Sequence, residues 1–346
     1  MASYGEIIQA QCSRMNRSIN WWPRYLYHFT DVNHAVSIID SEWIYDRVSV
    51  EAKHLAKTDA ASHNVLNVTG DEIKHCGRLY MRPLTPTQFY SEGYKPKSVR
   101  HERYKDANCP ALVFFLLDTV KTLELPGMFF VECGAAGHYT QAQKSGPDEY
   151  AKLRFDKIFH HGPTGQDTSI LKYRRTEVLR EGGIPLRGLL KRIVCRSPAE
   201  KNTLLSLMHR RCPTRYEEYS RYVMTASADV GMYLFNRNGI YIKAAKAQEE
   251  YVLLEFNEAS LRYDFLDRER KGPVAVEFSA VLSWKNLYGQ IISNSVYHGA
   301  LNYKTHNALT LSYGTKLSDY FTLEFCFEGH LVFQGDFYIG NQGVVY

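Results

Sequence analysis

Hydrophobic periodicity changes once along this chain of 346 residues, and that change limits the folds open to it. From Met232 onward the segments Tyr251 to Phe256, Leu261 to Leu266, Val274 to Leu282 and Thr322 to Phe327 alternate, or nearly alternate, apolar with polar residues. A period of two puts one face of a segment in a core and the other in water, as in half-buried strands. Glu328-Gly329, between Phe325-Cys326-Phe327 and Leu331-Val332-Phe333, is a hairpin signal. This part is expected to be antiparallel β, a sandwich or small barrel. Upstream the apolar residues come instead in unbroken runs of strand length, Pro110 to Leu117, Met128 to Val131 and Ile193 to Cys195, set between helical patterns. The expectation is an α+β chain with a boundary after Pro213, where a helix opened by Ser197-Pro198 with Glu200 at its third position closes. Single cores rarely grow past about 250 to 300 residues, which agrees with two domains, 1–215 and 216–346.

Charge divides at the same place. Residues 1–216 carry 31 Lys and Arg against 22 Asp and Glu, and residues 217–346 carry 11 against 15. Twelve of the basic side chains fall between Lys172 and Arg215, and Lys95, Lys97, Arg100, Arg103 and Lys105 form a smaller cluster. Such concentrations attract phosphate polyanions; equally, they can be a helix face whose acidic partners come from elsewhere in the fold. The seven cysteines are odd in number and never two residues apart, and adjacent His160 and His161 cannot share a helix face, so free thiols and no metal are expected. No apolar run approaches the roughly 20 residues of a membrane helix, and the N-terminal segment lacks a signal-peptide layout. A cytoplasmic location is the expectation.

Three segments of the first part carry chemistry. Tyr27-His28-Phe29-Thr30 ends a strand expected over Arg24 to Phe29, and Asp31 or Asn33 is placed to cap the helix that follows. Arg78-Leu79-Tyr80-Met81-Arg82-Pro83 is a strand stopped by prolines before a short helix through Gln88 and Tyr90. Glu177 follows a Gly- and Pro-rich loop, His160 to Asp167. Between the first two, Ala52 to Gly77 reads as a surface excursion. Together they suit a dinucleotide pocket with one carboxylate aimed into it. Breaking the nicotinamide-ribose bond of NAD makes an oxocarbenium-like sugar, which calls for a pyrophosphate clamp, a seat for nicotinamide and a carboxylate near the ribose. His28 and Thr30 suit the ribose and carboxamide; Arg82, Arg78 and Arg47 are bidentate candidates for pyrophosphate; Tyr80 or Tyr27 offers a flat ring; Glu177 is the carboxylate. Each has a plainer reading: His28 as a satisfied core histidine, Glu177 as a member of an ion-pair lattice, Arg82 as the brace of a turn.

The order of these segments resembles the DarT family of DNA ADP-ribosyltransferase toxins, over roughly residues 20–210. His-x-Thr at His28 to Thr30 with Asn33 is similar to that family's NAD-pocket motif, Tyr80 to Gln88 to its aromatic-strand and S/T-P motif, and Arg175 to Leu179 to its catalytic glutamate with a substrate-facing loop before it. The resemblance implies an ADP-ribosyltransferase-like split β-sheet core, NAD consumed as substrate, and single-stranded DNA as acceptor, since a base must be unstacked to react. It implies Glu177 and Arg82 as catalytic, His28, Phe29, Thr30, Asn33, Arg47, Arg78 and Tyr80 toward NAD, and His160, His161, Tyr173, Arg174 and Arg175 toward DNA. It also implies a neutralising antitoxin, one that strips ADP-ribose from DNA. Arg82-Pro-Leu-Thr-Pro-Thr-Gln88 resembles the guanine-modifying branch; Leu84 stands where thymidine-modifying members carry arginine, which leaves Arg82, Arg78 and Arg47 all open for the catalytic arginine. RNA or protein as acceptor, and a nucleic-acid-binding module without chemistry, are the alternatives.

Overall fold

The computed structural model describes residues 2–53, 70–135, 143–266 and 272–339. Most of the Ala52 to Gly77 excursion lies outside the described residues. Among the described residues sixteen strands follow in chain order: β1 Tyr25–Asp31, β2 Trp43–Ile44, β3 Cys76–Tyr80, β4 Leu112–Asp118, β5 Met128–Val131, β6 Glu177–Glu181, β7 Ile184–Pro185, β8 Leu190–Cys195, β9 Val223–Thr225, β10 Ile242–Ala247, β11 Tyr251–Phe256, β12 Ala275–Lys285, β13 Ile291–Asn302, β14 Ala308–Ser312, β15 Tyr320–Phe327 and β16 His330–Tyr338. The fold is α+β, with an ADP-ribosyltransferase-like sheet core and further β-rich sheets toward the C-terminus.

The first sheet has the order β5-β6-β3-β1-β4-β8-β9. Beside its central strand, β1, lies β4, whose apolar run is buried on both faces. Val113, Phe115 and Leu117 join the core beneath the Val32–Ser41 and Pro198–Arg211 helices, whereas Leu112, Phe114 and Leu116 pack with Tyr27, Val194, Leu234 and Phe235. An unbroken apolar strand is the signature of a sheet covered on both sides. β1 pairs with β4 along its whole length but with β3 only at Tyr27 opposite Tyr80, so the sheet is split between β1 and β3. β9 lies beyond residue 215 and still joins this sheet, parallel to β8.

Beyond it, β10-β11-β14 and β13-β12-β15-β16 form two antiparallel sheets over one shared core, with Phe256 against Phe325 and Phe327. The Glu328-Gly329 hairpin forms as its sequence requires, both residues at positive φ (45° and 80°), the primed turn that matches strand twist. Leu261 to Leu266 is not a strand. A short 3-10 turn, Ala259–Leu261, leads into irregular chain in which the alternation is inverted. Arg262 is buried, its guanidinium donating to the carbonyls of Asn257, Tyr303 and His306, while Leu261 and Phe265 face solvent. Pro213 both ends one helix and begins another, Pro213–Ser220, as a residue with no N–H to lose can.

The two parts are bolted together. Tyr94 bridges Ile240, and the Pro198–Arg211 helix packs on β16, where Thr203 Oγ1 accepts from Gln334 N (3.1 Å) and Arg210 meets Asp336 (2.7 Å). Among the described residues no helix is long and apolar enough to cross a membrane. All seven cysteines are free thiols.

Candidate active site

Glu177 opens β6, and strand pairing sets it opposite Tyr80 at the end of β3 and beside Val131 at the end of β5. It is 4% exposed. Past β5 the chain turns through Cys133 and Gly134, both at positive φ, and this turn lies directly on Arg175: a Cβ on Gly134 would stand 3.0 Å from the Arg175 Cβ. The turn presents the Ala135 N–H to Glu177 Oε2 at 2.6 Å. Burial pushes the carboxyl above its usual range, while the Arg78 guanidinium, the Ala135 N–H, the Tyr80 hydroxyl and Arg175 pull it back toward the ionised form. A carboxylate treated in this way is held, desolvated, where a developing cation gains most from it.

Across the split in the sheet, His28 Nδ1 lies 3.1 Å from the carbonyl of Arg78. Because a carbonyl only accepts, Nδ1 carries the proton and Nε2 is left as an acceptor. Nε2 is buried and has no partner among the described residues. Burial lowers the ring pKa to about 4, so the imidazole is neutral at physiological pH. Phe29 stacks on Tyr80 with ring centroids 5.6 Å apart and planes 12° from parallel, which brings the first two motifs together beside Glu177. Thr30 Oγ1 is engaged with His34 Nδ1 at 3.1 Å.

Other candidates lie further off or are otherwise engaged. Asn33 is tied to Asp31, the cap of its helix, and its Oδ1 accepts from Arg211 Nη1 (2.9 Å). Arg47 begins the Arg47–Ala52 helix and pairs with Glu51. Tyr27 is fully buried, its hydroxyl donating to the Trp22 carbonyl (3.1 Å), and offers no open ring. Arg82 is 2% exposed: Nε donates to the Pro83 carbonyl, Nη1 to those of Ile158 and His160, and the guanidinium lies 4.5 Å over Trp22. It braces the loop before Glu177, whereas Arg78, on β3, is the guanidinium that acts most on the Glu177 carboxyl.

That loop is pinned from within. Arg174 Nη2 donates to the Gly162 carbonyl (2.6 Å) and to His160 Nδ1 (2.9 Å), fixing that nitrogen as an acceptor. His161 packs against Trp22 and Tyr233, and Lys157 sits over the Tyr173 ring. Arg174, Arg175, His161 and Leu171 line one side of a cleft of about 340 Å³ whose other side is Thr85, Phe89, Tyr90 and Tyr104. Thr85 caps the Pro86–Ser91 helix, which places Phe89 and Tyr90.

The basic clusters do not form one positive face. Lys95 and Arg100 are buried and donate to backbone carbonyls, and burial brings the Lys95 pKa down to about 7. Of the later twelve, Arg187 and Arg215 pair with Glu42, Lys191 with Asp118, Arg196 with Glu92 and Glu200, and Arg210 with Asp336. Sequence reading missed the Ala135 N–H and the Tyr104 wall. A run of small residues, Gly134-Ala135, directly after an apolar strand was the available signal for the first. Among the described residues no group of three His, Cys, Asp or Glu could hold a metal.

A family model described as ssDNA thymidine ADP-ribosyltransferase, DarT, matches residues 27–223, more than half of the chain. Among solved structures, Thermus sp. 2.9 DarT in complex with NAD+ is 12% identical, with a TM-score of 0.43, covering 59% of this chain and 96% of that one. The same protein in complex with ADP-ribosylated ssDNA is 13% identical, with a TM-score of 0.44, covering 59% and 94%. Thermosipho africanus DarTG in complex with ADP-ribose is 14% identical, with a TM-score of 0.41, covering 56% and 51%. No curated protein matches the chain.

Proposed function

The chain belongs to the DarT family of NAD-dependent single-stranded-DNA ADP-ribosyltransferases, and on that premise we propose that it attaches ADP-ribose to guanine, with Glu177 and Arg78 at the reacting sugar. The observation that carries the assignment of residues is the buried Glu177 carboxylate, held between the Ala135 N–H, the Tyr80 hydroxyl and Arg78. As the bond from nicotinamide to the ribose breaks, nicotinamide leaves as a neutral ring and positive charge grows on the sugar. The fixed carboxylate opposes that charge. A nitrogen of the base closes the new bond to the same sugar carbon and gives up its proton to water, so that the products are ADP-ribosylated base, neutral nicotinamide and one released proton.

His28 Nε2, a buried acceptor, suits a ribose hydroxyl or the carboxamide N–H of nicotinamide. The Phe29–Tyr80 pair supplies the apolar wall, and Thr30, on the other face of β1, steadies His34 at the start of the Val32–Ser41 helix. The cleft lined by Arg174, Arg175 and His161 suits the DNA backbone and the extruded base, with His160 and Tyr173 shaping the loop behind it. Asn33 and Arg47 fit supporting roles, through the Val32–Ser41 helix and the chain leading into the excursion. Guanine is favoured by the wording of Arg82 to Gln88, against the thymidine of the family description. The reading includes a toxin role in the cytoplasm and a cognate antitoxin that removes ADP-ribose.

The test is incubation of the purified chain with NAD labelled on the adenylate and a mixed single-stranded oligonucleotide, beside Glu177→Gln. Label is expected on DNA with the intact protein alone, and on guanosine after digestion; label on thymidine corrects the base only. Label that reaches RNA or protein instead replaces the acceptor. An active Glu177→Gln overturns the role of Glu177.

A further inference from the structure

Six rings run from the cleft lined by Arg174 and Arg175 out to the surface. Tyr90 and Tyr104 are stacked, centroids 4.0 Å apart and planes 16° from parallel, and both line the cleft. His101 lies against both (5.9 and 5.6 Å) and meets Phe265 edge-on at 4.6 Å. Phe89, in the cleft wall, sits edge-on to Tyr90 (5.4 Å) and to Tyr263 (5.3 Å). The rings of the two cores are buried to within a few per cent, but this series opens outward: Phe265 is 47% exposed, and Leu261, four residues earlier, 50% exposed. Tyr263 and Phe265 belong to the part of the chain past residue 223, beyond the family match, and are tied to the first part by the bond from Phe265 N to the Val99 carbonyl (3.0 Å).

We infer that this aromatic series is a stacking track for the unpaired nucleotides flanking the target base, and that the C-terminal part takes part in DNA binding by supplying its outer end. This rests on the single-stranded DNA reading above. The surrounding charge suits a phosphate backbone. Arg174 and Arg175 form the facing wall, and Lys97 and Lys105 are exposed on the segment that carries His101 and Tyr104. Of the nearby carboxylates, Asp264 is buried against Lys304 (2.8 Å), Glu92 is buried against Arg196, and Glu102 is in contact with Lys105 (2.6 Å); Asp106 is exposed. Every base has a π face, so such a track tolerates any sequence, and stacking on one aromatic is worth roughly 1–3 kcal/mol by alanine substitution. Paired duplex has no open base faces to offer it.

The test compares the intact chain with Phe265→Ala and Tyr104→Ala on a long single-stranded acceptor and on the same acceptor carrying abasic sites at each position flanking the target. Both variants are expected to raise the KM for DNA about tenfold, leaving kcat and the KM for NAD unchanged. Abasic sites on one flank are expected to weaken the intact chain equally and to add nothing to the variants. A merely structural role predicts additive losses instead. Unchanged KM in both variants, or additive abasic losses, overturns the track. An intact chain that modifies no DNA overturns the reading beneath it, and equal losses on an RNA acceptor replace the ligand.

Discussion

Glu177 and His28 are both residues whose burial costs stability in return for a defined protonation state. For Glu177 the direction sets a pH dependence. Its folded pKa lies above the ordinary carboxylate value, so the protonated form is the one folding favours. That contribution is complete below the ordinary carboxylate range and is lost as pH rises through the raised value. Glu177→Gln cannot ionise, keeps an oxygen for the Ala135 N–H, and escapes the loss. It is expected to melt above the intact chain at about pH 8, with the gap closing as pH falls toward 4, as read by calorimetry. A variant that melts lower at pH 8 would mean that Arg78 and Tyr80 outweigh desolvation. Glu177 stands out in the sequence because it follows directly on a Gly- and Pro-rich loop and opens a strand, whereas His28, expected at a strand end, sits in the middle of β1, which runs on to Asp31. The identity of the partnering arginine was not legible. Arg82 and Arg78 are four residues apart, yet one is sealed against Trp22 and the loop carbonyls while the other acts on the carboxylate. Only the third dimension separates them.

Segments that declare their own ends were read well. Asp31, Thr85 and Ser197 each cap the helix expected after them, because a short side-chain acceptor before an apolar run satisfies N–H groups that would otherwise be orphaned. The inverted Leu261 to Leu266 stretch was misread for the opposite reason: its inward residue is an arginine satisfied by carbonyls from distant turns. Docking of the two parts is another feature without a local signal. Gly93 and Gly239 cross so closely that a Cβ on Gly239 would stand 2.7 Å from the Cα of Gly93, with backbone on both sides. Gly239→Ala is therefore expected to cost about 1–3 kcal/mol in denaturant unfolding, since neither backbone can yield without breaking the Tyr94–Ile240 bridge. Gly272→Ala, with nothing within 4 Å of the added carbon, is the neutral control. Equal stabilities for the two would mean that the crossing is loose.

At the scale of the whole molecule, the sequence suggests a basic arm and the fold cancels part of it. Of the twelve cations within Lys172 to Arg215, Arg187, Lys191, Arg196, Arg210 and Arg215 pair with carboxylates, most of them far along the chain: Glu42, Glu92, Asp118 and Asp336. A count along the sequence cannot see this, because ion pairing in a fold joins residues without regard to their separation. The consequence can be measured. Each phosphate neutralised on a single strand adds about −0.7 to the slope of log K against log salt. Twelve free cations would give roughly −8. Arg174 and Arg175 line the cleft, and Lys97 and Lys105 are exposed on the segment that carries Tyr104, so a slope of roughly −2 to −3 is expected for binding of a single-stranded oligonucleotide, measured by fluorescence anisotropy over a salt series. Affinity would then persist at salt concentrations that release a protein held by charge alone, with the remainder supplied by stacking. A slope near −8 would mean that the internal pairs open to reach DNA, and that the positive segment works as the sequence alone suggests.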